Sequence, residues 1–195
     1  MASEIKANKI SPATGTAFTI GDSGDTFTLP SGATLAVASG ATISNAGTAS
    51  GFGGNNTPYF SAYRGSGQVF SASTYVKVLN DTEVVDSNGA YDNATNYRFT
   101  VPAGQAGKYY FSARASVNMT SPGPYALYLY IFKNGSPEAW AYDYTGSTYQ
   151  QALEVDCILN MAVNDYAEMY VFSSAAGTLT LLNNYTQFLG FKLVE

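Results

Sequence analysis

Residues 23–46 hold one phrase written three times in tandem: Ser23-Gly24-Asp25-Thr26-Phe27-Thr28-Leu29-Pro30, then Ser31-Gly32-Ala33-Thr34-Leu35-Ala36-Val37-Ala38, then Ser39-Gly40-Ala41-Thr42-Ile43-Ser44-Asn45-Ala46. Each octad has Ser-Gly at its corner, Thr fourth and a large apolar residue fifth. Phe27 and Leu29, then Leu35 and Val37, alternate with small residues at period two, as in a strand with one apolar face that ends in a glycine turn. The third octad keeps Ile43 but has Asn45 at the second apolar place, which marks the end of the stack. Such a unit cannot bury its apolar side chains alone, so it has to stack on copies of itself or on other chains. Three chains wound together supply the joint core that one chain lacks. The repeat therefore predicts a homotrimeric β-stem with Phe27, Leu29, Leu35, Val37 and Ile43 at its centre. The competing reading is a disordered tail, and the regular apolar period counts against it because disorder needs no period.

The stem divides the rest of the chain. Residues 1–21 are polar and irregular, punctuated by Pro12 and Gly15, and are read as an N-terminal anchor; within them Gly15 to Asp22 forms a degenerate fourth octad around Phe18 and Ile20. Residues 22–46 are the octad-repeat stem. The Gly-rich run 47–56 is a flexible hinge. From residue 57 to 195 short β runs alternate with turn signals. Tyr109, Phe111, Ala113, Ala115 and Val117 fall on one face of a strand, with Tyr110, Ser112, Arg114 and Ser116 on the other. Tyr125 to Phe132 is a second strand, closed by Lys133-Asn134-Gly135-Ser136, whose Asn-Gly favours positive φ. Strands also read at 153–161, 167–173, 178–182 and 188–194. No segment carries a capped helical stripe. The fold class that follows is all-β: an antiparallel jelly-roll sandwich on a short N-terminal stem.

Composition removes several function classes. Charged residues make up only 12% of the chain and the net charge is −5, the wrong sign for a nucleic-acid footprint. No apolar run is long enough to span a bilayer. The first residues lack the apolar stretch of a secretory signal, so synthesis and assembly in a cytoplasm are expected. The chain has no His, which excludes Ser-His-Asp and Cys-His arrangements and His-ligated zinc. Cys157, the only cysteine, lies in the apolar run 155–161 and reads as a buried, inert thiol. No phosphate-binding loop occurs, and no cofactor is implied.

Three groups of residues keep some chemistry open. The carboxylates Glu138 with Asp143, or Glu154 with Asp156, have the residue types of a glycosidase pair, although solvated surface charge is the simpler reading. Asp81, Glu83, Asp86 and Asp92 offer calcium oxygen ligands in one polar stretch, but at no EF-hand spacing. The segment 137–149 holds Trp140, Tyr142, Asp143, Tyr144 and Tyr149, aromatics suited to stacking on sugar rings or to a protein interface. A plain outer strand and hairpin accounts for the same residues.

The last seven-tenths of the chain resembles the globular-head family of the complement q-subcomponent and, more distantly, tumour necrosis factor. The resemblance rests on ordered motifs: Phe60-Ser61-Ala62-Tyr63-Arg64 at the opening, Gly107-Lys108-Tyr109-Tyr110-Phe111, Phe132-Lys133-Asn134-Gly135, the turn at Asn164-Asp165, and the closing Thr186-Gln187-Phe188-Leu189-Gly190-Phe191. It departs at Ala113, where an aromatic is expected, and in having octads in place of a collagen-like stem. It implies a jelly-roll fold and a trimeric habit, and carries over no ligand.

The N-terminal part is similar to structural proteins of tailed phages, especially marine ones. Ser3-Glu4-Ile5-Lys6-Ala7-Asn8-Lys9-Ile10 and Gly21-Asp22-Ser23-Gly24-Asp25-Thr26-Phe27 precede Ser-Gly-Ala-Thr repeats and a Gly-rich joint. Together the two resemblances imply a non-enzymatic virion protein made in the host cytoplasm: a tail fibre, spike or capsid decoration protein. Its expected partners are itself, as a homotrimer, a capsid or tail protein reached through the N-terminus, and a host-surface glycan or protein. The alternatives are a stand-alone trimeric module that binds sugar or protein, and a spike that cleaves glycans.

Overall fold

The computed structural model describes residues 10–44 except 13 and 18, then 56–119, 124–145, 150–174 and 178–193. The chain divides into two compact units, Met1–Ser50 and Gly51–Glu195. Most of the Gly-rich run 47–56 lies outside the described residues.

In the first unit the octads appear as turns at a fixed period. Asp25 N–H donates to Asp22 O, Ala33 N–H to Pro30 O and Ala41 N–H to Ala38 O, each at 3.0 Å. The third residue of each turn is a glycine with positive φ: 95° at Gly24, 84° at Gly32 and 83° at Gly40. That conformation is what a type II turn requires and what a side chain resists, so Ser-Gly sits where the backbone needs it. Among the described residues, the segments between the turns join no β-ladder. The period expected from the sequence is present, while the expected burial is not. Phe27, Leu29, Leu35, Val37 and Ile43 are 43% to 64% exposed, because one copy of the repeat offers them nothing to pack on.

The second unit is a sandwich of two antiparallel sheets. Its strands are β1 (Tyr59–Tyr63), β2 (Gln68–Ser71), β3 (Val76–Lys77), β4 (Thr82–Asp86), β5 (Tyr91–Asp92), β6 (Arg98–Thr100), β7 (Gly107–Met119), β8 (Tyr125–Lys133), β9 (Ser136–Thr145), β10 (Gln151–Met161), β11 (Tyr166–Ser173), β12 (Thr178–Leu181) and β13 (Gln187–Lys192). One sheet runs β2-β12-β7-β13-β1-β4 with β10 paired to β7; the other runs β5-β6-β11-β8-β9 with β3 paired to β11. Sequence neighbours β7 and β8 lie in different sheets, as do β9 and β10, which gives the crossing connections of a jelly roll.

Alternation fixes the register. Tyr109, Phe111, Ala113, Ala115 and Val117 are all buried, as the sequence predicts, and Leu127, Leu129 and Ile131 of β8 meet them from the other sheet. At the centre Phe60 stacks on Tyr91 (4.8 Å between centroids) and on Phe99 (5.1 Å), and meets Phe188 edge-on at 5.1 Å. These rings come from both sheets, so the aromatic cluster locks the layers together; each such pair adds about 0.5–1.5 kcal/mol beyond area burial. The Lys-Asn-Gly hairpin between β8 and β9 has positive φ at Asn134 (50°) and Gly135 (80°), the conformation its sequence favours.

Candidate interaction surfaces

Two sheet faces point away from the core, and their residues follow from strand register. On the outer face of the first sheet, cross-strand partners line up over β1, β13, β7 and β10. One row is Tyr63, Gln187, Arg114 and Glu154; the next is Ser61, Leu189, Ser112 and Asp156; the third is Tyr59, Phe191, Tyr110 and Ile158. The first row is polar and the last is apolar and aromatic. Tyr110 and Phe191 pack at 5.2 Å, and Ile158 is 61% exposed beside them. The Tyr110 hydroxyl is pushed above its ordinary range by partial burial and by its hydrogen bond to Asp156. A shallow groove of about 310 Å³ opens beside this row, lined chiefly by Tyr59, Ser61, Leu189 and Phe191. The alternation of β7 already separates Tyr110 from the core face; pairing it with Ile158 and Phe191 needed the register.

The outer face of the second sheet is aromatic. Tyr128 stacks on Tyr142 at 5.5 Å and on Tyr130 at 5.8 Å, and Phe132 stacks on Tyr170 at 4.4 Å. Tyr75 covers the middle of this face, packing on Tyr130 and Phe172. The guanidinium of Arg98 lies 4.1 Å over the Tyr166 ring. At the open edge Trp140, Tyr142 and Tyr144 stand exposed in line along β9. The described part of this segment lies in a ten-residue edge strand over Ser136–Thr145, as the plain outer-strand reading has it. Its outward aromatics alternate with inward Ala139 and Ala141, which pack against the core. Asp143 shares that inward side and is half-buried, so it does not join the three rings. Tyr149 lies outside the described residues.

The carboxylates separate likewise. Glu154 and Asp156 share the exposed face of β10, opposite Arg114 and Ser112. Glu138 falls at a bulge between the pairs Ile131–Ala139 and Phe132–Pro137, near enough to Cys157 for its charge to act on that thiol.

Asp81, Asp86 and Asp92 each hold a different turn, and Glu83 lies within β4. Asp81 pairs with Arg64 and accepts the Gly65 N–H at 2.7 Å. Asp86 accepts N–H groups from Ala90 (3.0 Å) and Tyr91 (2.9 Å). Asp92 accepts them from Thr95 (2.8 Å), Ala94 (3.0 Å) and Asn96 (3.1 Å), which holds its carboxyl down at about 2. Glu83 is shifted upward by desolvation and by the charges of Asp86 and Asp92. Among the described residues no group of three or more His, Cys, Asp or Glu has a metal-holding arrangement. Cys157 is half-buried, and burial with the neighbouring Asp156 and Glu138 charges pushes its thiol up to about 11.

No protein-family model matches this chain, and no curated protein sequence matches it. Among solved structures, the globular domain of zebrafish complement 1qA protein is similar, with a TM-score of 0.50 and 21% identity over 70% of this chain and 98% of that one. That likeness concerns architecture: residues from about 57 onward form an all-β, jelly-roll-like sandwich of two antiparallel sheets resembling the complement 1q globular domain.

Proposed function

We propose that the protein is a non-enzymatic, homotrimeric structural protein of a bacteriophage virion, with residues 1–21 docked on the particle and the sandwich projecting outward. The observation that carries the trimer is the apolar row Tyr59, Phe191, Tyr110 and Ile158 on the outer face of the first sheet. An exposed apolar row of this kind marks an interaction surface, and neighbouring copies of the chain arranged in a closed ring of three cover it. The virion placement is supported by the N-terminal phrases and the octads, which suit a stem that holds a head away from a base. Three identical heads also turn weak contacts with a host surface into avidity. A fibre or spike is present in few copies per particle and a capsid decoration in many, so copy number separates the two placements.

Gold-labelled antibody against the head, applied to phage particles from a culture producing the protein, tests the placement. Labelling on the tail or capsid supports it. Particles without label, with all the protein free in the lysate, overturn it. A second reading, a stand-alone module that binds sugar or protein, is favoured by the exposed line Trp140, Tyr142 and Tyr144, since Trp and Tyr rings suit stacking and interfaces alike. Such a module keeps its partner after residues 1–56 are removed, whereas a virion protein loses its particle.

A further inference from the structure

We propose that residues 22–44 form a parallel, in-register intermolecular β-stem in which two further copies of this chain complete the hydrogen bonding and cover the apolar side chains. This deepens the trimeric reading above and rests on it. The backbone is already set for such an assembly. Turns close at 22–25, 30–33 and 38–41, and glycines with positive φ mark the same place in each. Between them, 26–29 and 34–37 join no ladder among the described residues, although strand formation ordinarily pairs those N–H and C=O groups. On these same segments Phe27, Leu29, Leu35 and Val37 are exposed. Unpaired backbone and uncovered apolar side chains therefore coincide, octad by octad.

The occupant has to repeat every eight residues to meet this surface, and a copy of the same chain does. Charge permits it over residues 26–44, which contain no Asp, Glu, Lys or Arg, so identical copies meet there without repulsion, and the stem's only charges are Asp22 and Asp25 in its first turn. Threefold symmetry makes the chains parallel and puts each residue at the height of its own copies, Val37 beside Val37. Size sets the limit. The five exposed side chains offer on the order of 300 Å² of apolar surface per chain, well short of the roughly 800 Å² per partner of a stable interface. The stem therefore zips up behind the heads and does not hold three chains by itself.

Cysteine crosslinking in the full-length protein tests this. In a Cys157→Ser background, Leu29→Cys and Val37→Cys place thiols on the apolar side, and Thr28→Cys and Ala36→Cys place them on the other. Thiols held together in a trimer meet at an effective concentration in the millimolar range, so at micromolar protein the apolar positions should oxidise about a thousandfold faster than free chains. At completion about two-thirds of chains should be disulfide dimers, because the third thiol of each trimer has no partner. Positions 28 and 36 should lag clearly. Equal rates at all four positions, or no crosslinking in a protein whose sedimentation mass is that of a trimer, overturns the stem and leaves the trimeric head standing. A monomer mass overturns both.

Discussion

Gly190 lies against the ring of Phe111 so closely that a Cβ at position 190 would sit 2.5 Å from its Cδ1 and 3.0 Å from Phe60 Cε1. The glycine of the closing Phe-Leu-Gly-Phe run is thus a packing residue: the central aromatic cluster needs its missing side chain. Gly190→Ala should destabilise the sandwich by about 1–3 kcal/mol, the range for overpacking a filled core. Denaturant unfolding followed by tyrosine fluorescence reads this, and an unchanged midpoint would contradict it.

The turns after β8 and β10 hold each other. Asn134 Nδ2 donates to Asp165 Oδ1 at 2.8 Å, the Tyr166 N–H donates to Asn134 Oδ1 at 2.9 Å, and Lys133 pairs with Asp165 at 3.0 Å. The Asn134 hydrogen bond is the largest cause of the lowered pKa at Asp165, and backbone N–H donors act the same way at Asp92, down to about 2. Carboxyls with depressed folded pKa values add stability that is complete above the unfolded value and lost as pH falls through the folded one. Stability should therefore be flat near neutrality and fall below about pH 4. Asp165→Asn should flatten part of that acid limb. An identical pH profile for the variant would remove Asp165 from the account.

Cys157 should be slow to react. With its thiol at about 11, the thiolate at pH 8 is roughly a hundredfold scarcer than for an ordinary cysteine near 8.5. Colorimetric titration with an aromatic disulfide reagent should show a slow native reaction and a fast one after denaturation. Comparable rates before and after unfolding would contradict the half-buried position.

Charge placed in the apolar row should break association and spare the fold. Ile158→Asp puts a carboxylate beside Asp156 on an exposed face, where a free monomer tolerates it and a threefold interface does not. The expected result is a monomer at micromolar concentration with an unchanged far-ultraviolet spectrum. A variant that keeps the wild-type mass would place the interface elsewhere.

Where the sequence was legible, one local pattern determined one local structure. Five alternating residues from Tyr109 to Val117 gave the core side of β7, Asn-Gly gave a turn with positive φ, and Ser-Gly gave three turns eight residues apart. At 137–145 the plain outer strand and hairpin that the residues allowed is what forms. On an edge strand the large rings face outward and small Ala139 and Ala141 face inward, which inverts the usual link between size and burial. The period-two alternation of Trp140, Tyr142 and Tyr144 was the available signal. Tyr59, Phe191, Tyr110 and Ile158 share a row only through the register of four strands far apart in the chain, and no local pattern states that. The stem strands are legible as a period, whereas their partners lie in other copies of the chain.

Sedimentation equilibrium of the intact protein beside a form lacking residues 1–56 tests the central claim most directly. The account predicts three times the 20.6 kDa chain mass for the intact protein, and a trimer again for the head alone, because the apolar row and not the short stem holds the chains together. A monomeric intact protein at micromolar concentration would contradict it.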